Sequence, residues 1–481
     1  MGSVWSRPTP SSPSPPPKQF HVKRVAIIGA GPCGLVAAKY LKAQGTFESI
    51  VVFEQNAQVG GVWNYSNLTP KEFPVPQEDP FWGPEQSVWP GGDPAPTFPS
   101  PMYDNLHANL PGSLMNFTDQ KFPDDAWVFP SRESIQEYLV HYAQDIRDLI
   151  KFRHQVTRVS LVQEHGRDQW HVENQDTTDG QAFNDIFDAV VVANGHYTIP
   201  YVPSIKNIAK FQQVHPSIIT HSKQYRKSDH FKGKKVVVVG NGPSGLDVAM
   251  QINQAAGKTL LSVRHATPPH KLKHTGCEEI AEIDDFLIDQ RGILLKDGSI
   301  VADIDHIVFC TGFLYGYPFL PDINHEIITI GRGVHGLYQH IFYIKNPTLV
   351  FPTLNMKSVP WPLSESQAAI FSSVWSNSLL LPPLKDMEKW ARELEEKYGE
   401  SLQVFEPRAD GYYINELHEW AMQSSHRGKE PPRWDDEIFW QRSICDKAKI
   451  RFEEQGRKAK TLEELGFHYE PEEKGARQVI H

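Results

Sequence analysis

The sequence contains little cysteine: four residues in 481, with no CxxC pair among them. This usage argues against a disulfide framework, a zinc site built on paired cysteines and a dithiol reductase. No apolar run approaches the roughly 18 residues that span a bilayer, and the N-terminus lacks the apolar core of a signal peptide. Basic residues number 48 against 58 acidic ones, so the net charge is −10 and a basic nucleic-acid-binding stripe is not expected. These absences predict a reducing, cytoplasmic location, without a membrane anchor, a metal or a nucleic-acid partner.

Proline marks two irregular stretches of the chain. Residues 1–20 hold six prolines and five serines, and such a segment is expected to be disordered because it buries little apolar area. Residues 70–101 carry ten prolines and are predicted to form an irregular excursion. The chain is long enough for at least two domains, and residues 385–481 have the charged character of exposed helices. Nothing in the sequence fixes the oligomeric state, and a homodimer is one of the states left open.

Apolar runs and glycine turns alternate in a way that indicates two β-turn-α-β units. The first unit has a strand over 24–28, a helix over 35–44 and a strand over 50–54. The second has strands over 234–240 and 259–264 around another glycine turn. Further elements are predicted as a helix over 133–150, a strand over 188–195 and, returning to the first domain, a strand over 305–313. The fold class is therefore α/β, with two Rossmann-like dinucleotide-binding domains.

The first glycine turn matches the pattern GxGxxG, and it consists of Gly29, Ala30, Gly31, Pro32, Cys33 and Gly34. The three glycines permit a tight turn, a close approach of a pyrophosphate, and packing of the helix on the strand. Unpaired N–H groups at the helix N-terminus favour the phosphates. Glu54 follows Gly34 by 20 residues, at the end of the second strand, where a carboxylate suits the hydroxyls of an unphosphorylated ribose. The alternative is a plain glycine-rich turn with a surface glutamate.

The second turn repeats the pattern, with Gly240, Gly242, Ser244, Gly245, Leu246 and Asp247 along its turn and helix start. Arg264 stands 19 residues after Gly245, at the position that the spacing matches with Glu54. A guanidinium can grip a ribose 2′-phosphate bidentately, whereas a carboxylate would repel it. The first site is therefore predicted to bind FAD and the second NADPH. The alternative for Arg264 is a solvated arginine at a strand end.

Several longer motifs accompany the two turns: FEQNAQVGGVWNY (53–65), YDNLHANLP (103–111), ANGHY (193–197), HSKQYR (221–226) and CTGF (310–313). Together with the turns, they resemble the flavin-containing monooxygenases, in a fungal-looking branch. The resemblance implies a glutathione-reductase-like fold. It places an FAD-binding domain over 21–203 and 315–481, with an NADPH-binding domain inserted over 204–314. It also implies that NADPH reduces FAD and that O2 then forms a C4a-hydroperoxyflavin, which gives one oxygen atom to a soft nitrogen or sulfur nucleophile.

The resemblance also assigns roles to individual residues. It implies that Val62 and Trp63 touch FAD and that residues 244–247 contact NADP. It puts Ala108 and Asn109 at the flavin–nicotinamide junction, where Asn109 is the candidate catalytic residue. It brings Gln367 near the flavin. The alternative for Asn109 is a turn-forming residue before Leu-Pro.

One segment departs from the family fingerprint FxGxxxHxxx(Y/F). Aligned on His221 and Tyr225, this chain has His215 where phenylalanine is expected and Ser217 where glycine is expected. Two other functions stay open beside the N- or S-oxygenase. One is a Baeyer–Villiger monooxygenase that acts on a ketone, and the other is an NADPH oxidase-like flavoprotein that releases hydrogen peroxide.

Overall fold

The computed structural model describes residues 19–70, 72–89, 96–164 and 166–471. The disorder predicted for residues 1–20 therefore falls almost wholly outside the described residues. In the described residues up to Pro200, the chain forms eight strands and three α-helices: β1 Arg24–Ile28, α1 Pro32–Gln44, β2 Ser49–Glu54, α2 Gly112–Met115, α3 Arg132–Tyr142, β3 Ile150–Phe152, β4 His154–Glu164, β5 Arg167–Asp176, β6 Ala182–Phe187, β7 Ala189–Val192 and β8 Ile199–Pro200.

The middle of the chain forms a second set of elements: α4 Ile208–Val214, β9 Ile219–His221, β10 Lys235–Val239, α5 Pro243–Ala255, β11 Lys258–Ser262, α6 Pro269–Thr275, β12 Glu278–Ile280, β13 Ile283–Leu287, β14 Gly292–Leu295, β15 Ile300–Val301 and β16 His306–Phe309. The last part returns to the first set: β17 Phe313–Leu314, α7 Asn324–Ile327, β18 Leu337–Tyr338, β19 Phe342–Tyr343, β20 Leu349–Val350, α8 Pro360–Trp375, α9 Leu384–Tyr398, α10 Ala409–Ala421 and α11 Asp436–Glu454.

A seven-stranded sheet in the order β18-β19-β20-β7-β1-β2-β3 forms the centre of the first unit. Strand β1 is buried on both faces, as strands of parallel sheets are. Val25 and Ile27 pack into a core with α1 and α8, while Ala26 and Ile28 pack into a second core against the antiparallel sheet β4-β5-β6. Each buried valine or isoleucine side chain contributes roughly 1.5–3 kcal/mol of burial free energy. The near-continuous apolar run in the sequence follows from this two-sided burial.

The second unit has a five-stranded parallel sheet in the order β12-β11-β10-β16-β9. All five strands lie between residues 219 and 309, inside the predicted range 204–314, whose exact boundaries stay a prediction. One expectation for this region is wrong. Strand β16 does not return to the first unit, because it pairs with β10 and β9. The return begins later, where β17 pairs antiparallel with β8. The two separate sheets, each followed at its first glycine turn by a helix, confirm the two-domain dinucleotide-binding fold.

The segment 133–150 is not one helix, as its periodicity predicted. Helix α3 ends at Tyr142, and a short 3-10 segment, Gln144–Leu149, leads into β3. The reason is tertiary: Ile150 pairs with Val52 at the edge of the large sheet, and strand pairing there replaces the last turns of the helix. Residues 70–101, where described, form only turns and isolated bridges, as predicted. No helix in the described ranges has the length and hydropathy to cross a bilayer.

Each nucleotide-type helix crosses its strand at a glycine. A Cβ atom added at Gly34 would lie 1.9 Å from the carbonyl oxygen of Gly29. At Gly245 it would lie 2.1 Å from the carbonyl oxygen of Gly240. Both obstacles are backbone atoms, which cannot move aside as a flexible side chain could. The third glycine of each turn therefore sets the distance between helix and strand.

Gly34→Ala and Gly245→Ala should each lower the free energy of unfolding by about 1–3 kcal/mol, the usual cost of overpacking. Chemical denaturation followed by circular dichroism measures this change. Gly257→Ala is a suitable control, because its Cβ would meet no atom closer than 3.6 Å. Equal stability of all three variants would contradict the packing role of the two glycines.

Candidate active site

The two glycine turns have the same backbone geometry. Gly29 and Gly240 adopt φ angles of +100° and +107°, a region that favours glycine. The Gly29 N–H donates to the carbonyl of Phe53 (2.8 Å), and the Gly240 N–H donates to that of Ser262 (2.9 Å). Each turn is thereby fixed to the end of the neighbouring strand, with its helix N-terminus at the carboxyl edge of its sheet. This edge is where open α/β sheets bind ligands.

Both turns leave room where a pyrophosphate would approach. A Cβ at Gly242 would meet nothing within 4 Å, and one at Gly31 would meet only backbone of Gly61, 3.5 Å away. Gly31 and Gly242 are the N-caps of α1 and α5, and neither helix has a side-chain cap or an acidic residue in its first turn. The free N–H groups and the helix dipole therefore face open space, which suits an anion.

The GGVW segment packs directly on the first turn. Its residues Gly61–Trp63 form one 3-10 turn, and the Gly60 N–H donates to the carbonyl of Ala30 (3.0 Å). The hydroxyl of Ser100 donates to the carbonyl of Val62. The structure therefore brings Val62 and Trp63 to the first site, beside Pro32 at the start of α1.

Glu54 fastens the first turn to the end of β2. It is buried, and its two carboxylate oxygens accept from the N–H groups of Ala30 (2.9 Å) and Asn56 (2.8 Å). Burial raises the pKa of this carboxyl group above its usual range. The sequence predicted a ribose contact for Glu54, and its position at the strand end fits that role.

The strand register differs from the spacing argument at the second site. Phe53 pairs with Ile28 and Ser262 pairs with Val239, so the residue equivalent to Glu54 is Val263. Arg264 follows one position later, beyond the end of β11. The reason is that the second unit has two residues fewer between the third glycine and the paired strand end, so counting from that glycine misplaces the match.

Arg264 is 59% exposed, and its Nε donates to a carboxylate oxygen of Glu282 (2.7 Å). The other oxygen of Glu282 pairs with Lys296, and these contacts lower the pKa of Glu282.

Nearby, the amide of Asn241 donates to the carbonyl of His265 (2.9 Å) and to the hydroxyl of Thr267 (3.0 Å). Asn241 therefore joins the second turn to the Arg264 segment, a link that the spacing pattern did not reveal.

Asp247 on α5 is turned toward protein partners. Its carboxylate accepts from the hydroxyl of Tyr103 and from the amide of Gln251 (3.0 Å), and burial raises its pKa. Ser244, by contrast, is exposed at the start of α5, and Leu246 packs against the core beneath it. The predicted NADP contacts of this helix start are thus divided: Ser244 faces open space, and Asp247 holds the segment that contains Tyr103.

That segment, Tyr103–Leu110, carries Asn109; we call it the asparagine loop. Ala108 is buried and donates its N–H to the carbonyl of Pro130 (2.9 Å), which anchors the loop beside Asn109. Asn109 itself is exposed, and its amide makes no hydrogen bond to any described residue. A turn-forming asparagine would use its side chain locally. The exposed amide of Asn109 therefore takes no part in a local turn and is accessible from solvent.

The motifs missed two buried polar residues in the segment after β20. Thr353 lies next to the Cys33 side chain, and burial raises the pKa of that thiol to about 11. The amide of Asn355 is 4% exposed, yet its nitrogen and oxygen have no partner in the described chain. The hydroxyl of Thr353, next to Cys33, is likewise without a partner in the described chain, and because buried polar groups are nearly always paired, it could meet a bound group at the first site. The sequence does contain a signal for these two residues, since the segment TLN (353–355) directly follows the apolar stretch TLVF (348–351) and Pro352.

Gln367 lies in α8 with no exposed surface. Its amide oxygen accepts from the N–H of Thr353 (2.6 Å), and its amide nitrogen donates to the hydroxyl of Tyr413 (3.2 Å). The structure therefore places Gln367 behind Thr353, so that it supports the first site instead of lining it.

The fingerprint segment links the two units. His221 is fully buried: its Nε2 donates to the carbonyl of Gly312 (3.0 Å), its Nδ1 accepts from the N–H of Lys223, and burial lowers its pKa to about 3. His215, which replaces the fingerprint phenylalanine, caps α4 and bonds the carbonyl of Ile288 (3.0 Å). The histidine that replaces the fingerprint phenylalanine, His215, therefore makes its contacts within the second unit. His221 instead bonds the residue just before β17, where the chain returns to the first unit.

The model of the flavin-binding monooxygenase-like family matches residues 94–268 and 281–427, and that of the NAD(P)-binding Rossmann-like domain matches residues 27–77. The chain belongs to the flavin-binding monooxygenase-like family. It is a flavin-dependent monooxygenase with FAD and NADPH as its cofactors, as the sequence predicted.

Relatives of this flavin-dependent monooxygenase match it over most of its length. The thiol-specific monooxygenase of Saccharomyces cerevisiae is 31% identical, covering 87% of this chain and 90% of its own. The trimethylamine monooxygenase of Pelagibacter sp. is 30% identical, over 82% and 85%. Among solved structures, the S-allyl-L-cysteine S-oxygenase of Allium sativum is 26% identical, with a TM-score of 0.76 over 93% and 98% of the two chains.

The residues present fit the two cofactors. The open positions at Gly31 and Gly242 provide room for two pyrophosphates, and the unpaired hydroxyl of Thr353, next to Cys33, provides a buried polar partner at the first site. FAD, when bound, supplies the redox chemistry and the reaction with O2. The chain's own residues bind and orient the cofactors and limit access of water.

Gly31→Val should abolish most FAD binding, because the added methyl groups occupy the space for the pyrophosphate. Gly242→Val should keep the FAD and lose NADP+ binding instead. Flavin absorbance per chain and NADP+ titration calorimetry measure the two effects. Full FAD occupancy in Gly31→Val would contradict the assignment of the first turn.

Proposed function

We propose that this enzyme uses NADPH and O2 to transfer one oxygen atom, by way of a C4a-hydroperoxyflavin, to a soft nitrogen or sulfur nucleophile of a small molecule. The reaction is proposed to take place in the cytoplasm. In this proposal Glu54 holds the ribose of FAD and Arg264 holds the 2′-phosphate of NADPH. Asn109 contacts the cofactors where flavin and nicotinamide meet.

The observation that carries this proposal is the asparagine loop, which is held by both halves of the molecule. Tyr103 bonds Asp247 of the second unit, and the Asp104 N–H donates to the carbonyl of Arg226 (2.9 Å). At its other end, Ala108 is bonded to the first unit through Pro130. The loop that carries Asn109 is thus bonded to both units, which supports the proposal because a hydride donor and acceptor have to meet between the two dinucleotide sites.

The proposed substrate class is supported by the names of the relatives, which refer to a thiol, to trimethylamine and to S-allyl-L-cysteine. A panel of one thiol, one thioether, one tertiary amine and one cyclic ketone tests it, with NADPH, O2 and product counted in each case. Product equal to NADPH consumed with the sulfur or nitrogen compounds supports the proposal. Product from the ketone alone would favour the Baeyer–Villiger alternative. Hydrogen peroxide without any oxygenated product would favour the NADPH oxidase-like alternative.

Arg264→Ala should raise the Michaelis constant for NADPH by about tenfold, the lower end for a charge-assisted contact, since the side chain is 59% exposed. The constant for NADH should hardly change, because NADH has no 2′-phosphate. Arg264→Lys serves as the control that keeps the charge but loses the bidentate fork. Its Michaelis constant for NADPH should lie between those of the unchanged enzyme and of Arg264→Ala. Equal losses for both nucleotides would mean that Arg264 is only structural.

Asn109→Ala should leave FAD bound and reducible by NADPH, but it should raise the fraction of electrons released as hydrogen peroxide severalfold, since cofactor register and exclusion of water govern this step. A peroxide assay beside NADPH consumption measures the change. Asn105→Ala, an exposed asparagine in the same loop, is the matched control. Unchanged coupling in Asn109→Ala would return this residue to a turn-forming role.

A further inference from the structure

The C-terminal helix α11 contacts the second unit through two pairs, one between a lysine and a carboxylate and one between a histidine and a carboxylate. The Nζ of Lys271 lies 2.6 Å from a carboxylate oxygen of Asp446, and the Nε2 of His274 lies 2.5 Å from one of Glu453. Lys271 and His274 are on α6, which begins directly after the Arg264 segment. Helix α11 thus reaches from the C-terminal part of the chain to the structure around the second dinucleotide site.

The inner of these two pairs is buried. The Glu453 side chain is 7% exposed, and its second oxygen pairs with Lys449 (3.3 Å) and Arg457 (3.5 Å). Lys449 in turn lies within electrostatic reach of Asp247. A charge this deeply buried needs its partners, because removing one partner leaves the others uncompensated. The outer pair is different, since Asp446 is 69% exposed and contributes little.

The same end of α11 also contacts the asparagine loop. A guanidinium nitrogen of Arg457 donates to the carbonyl of Asn105 (3.2 Å), and the ring of Phe452 lies 5.8 Å from that of His107. Glu453 therefore sits where three segments meet: helix α6, the end of α11 and, through Arg457, the loop that carries Asn109. Nothing in the two glycine turns or the fingerprint motifs indicates this junction.

We propose that Glu453 is a positioning residue for the reaction between the two cofactors. It ties the second unit to the asparagine loop, so that Asn109 and the NADPH site keep a fixed relation. The proposal rests on the proposed function of the loop, but it concerns a residue remote from both glycine turns. Its effect is exerted through Arg457 and His274, and Glu453 itself does not touch a cofactor.

Glu453→Gln removes the buried charge with little change in shape, and Glu454→Gln is the matched control at the exposed neighbouring glutamate. Hydrogen–deuterium exchange of residues 103–110 and 269–275 is the first readout. We expect faster exchange of both segments in Glu453→Gln only, with FAD content unchanged. Flavin reduction by saturating NADPH should slow by about tenfold, as a small misplacement of reacting groups would cause, while reduction by dithionite stays unchanged.

Glu453→Asp, which restores the charge, should recover part of the NADPH-driven rate. Unchanged exchange and an unchanged rate in Glu453→Gln would overturn the proposal. General unfolding with loss of FAD and equally slow dithionite reduction would also overturn it, because it would mean a purely structural role. These outcomes are independent of the substrate panel, so that a wrong substrate class and a wrong positioning role are distinguishable.

Discussion

Two helices of this enzyme approach their strands so closely that a single methyl group has no room between them. The contacts between Gly34 and Gly29 and between Gly245 and Gly240 bring each helix N-terminus to the carboxyl edge of its sheet. The groups bonded to the two turns lie around these points. Glu54 at the end of β2 and the GGVW segment both bond Ala30 of the first turn, and Arg264 lies two residues past the end of β11.

The two sites share a backbone but differ in charge. The first presents a buried carboxylate, Glu54, already bonded to its own turn, whereas the second presents an exposed guanidinium, Arg264, held by Glu282. Both oxygens of the buried carboxylate are bonded to backbone N–H groups, whereas only the Nε of the exposed guanidinium is bonded, so that its two terminal nitrogens can still bind an anion.

The sequence alone was sufficient for the fold and for both glycine turns, because the steric needs of a tight turn leave few residue choices at Gly29 or Gly240. It failed wherever long-range pairing decides the result. Ile150, which was predicted to lie in a helix, pairs with a strand of the large sheet, and β16, which was predicted to return to the first unit, pairs within the second. The contacts of Thr353 with Cys33 and of Glu453 with His274 join residues far apart in the chain, which no local pattern records.

The crossing between the two units has a mechanical consequence. The chain leaves the first unit at β8 and returns at β17, and these two short strands pair side by side, Phe313 with Pro200 and Leu314 with Ile199. The two ends of the second unit therefore lie next to each other, as in a domain inserted into another one. The orientation of the second unit is fixed by contacts away from this crossing, which are those of the asparagine loop and of helix α11.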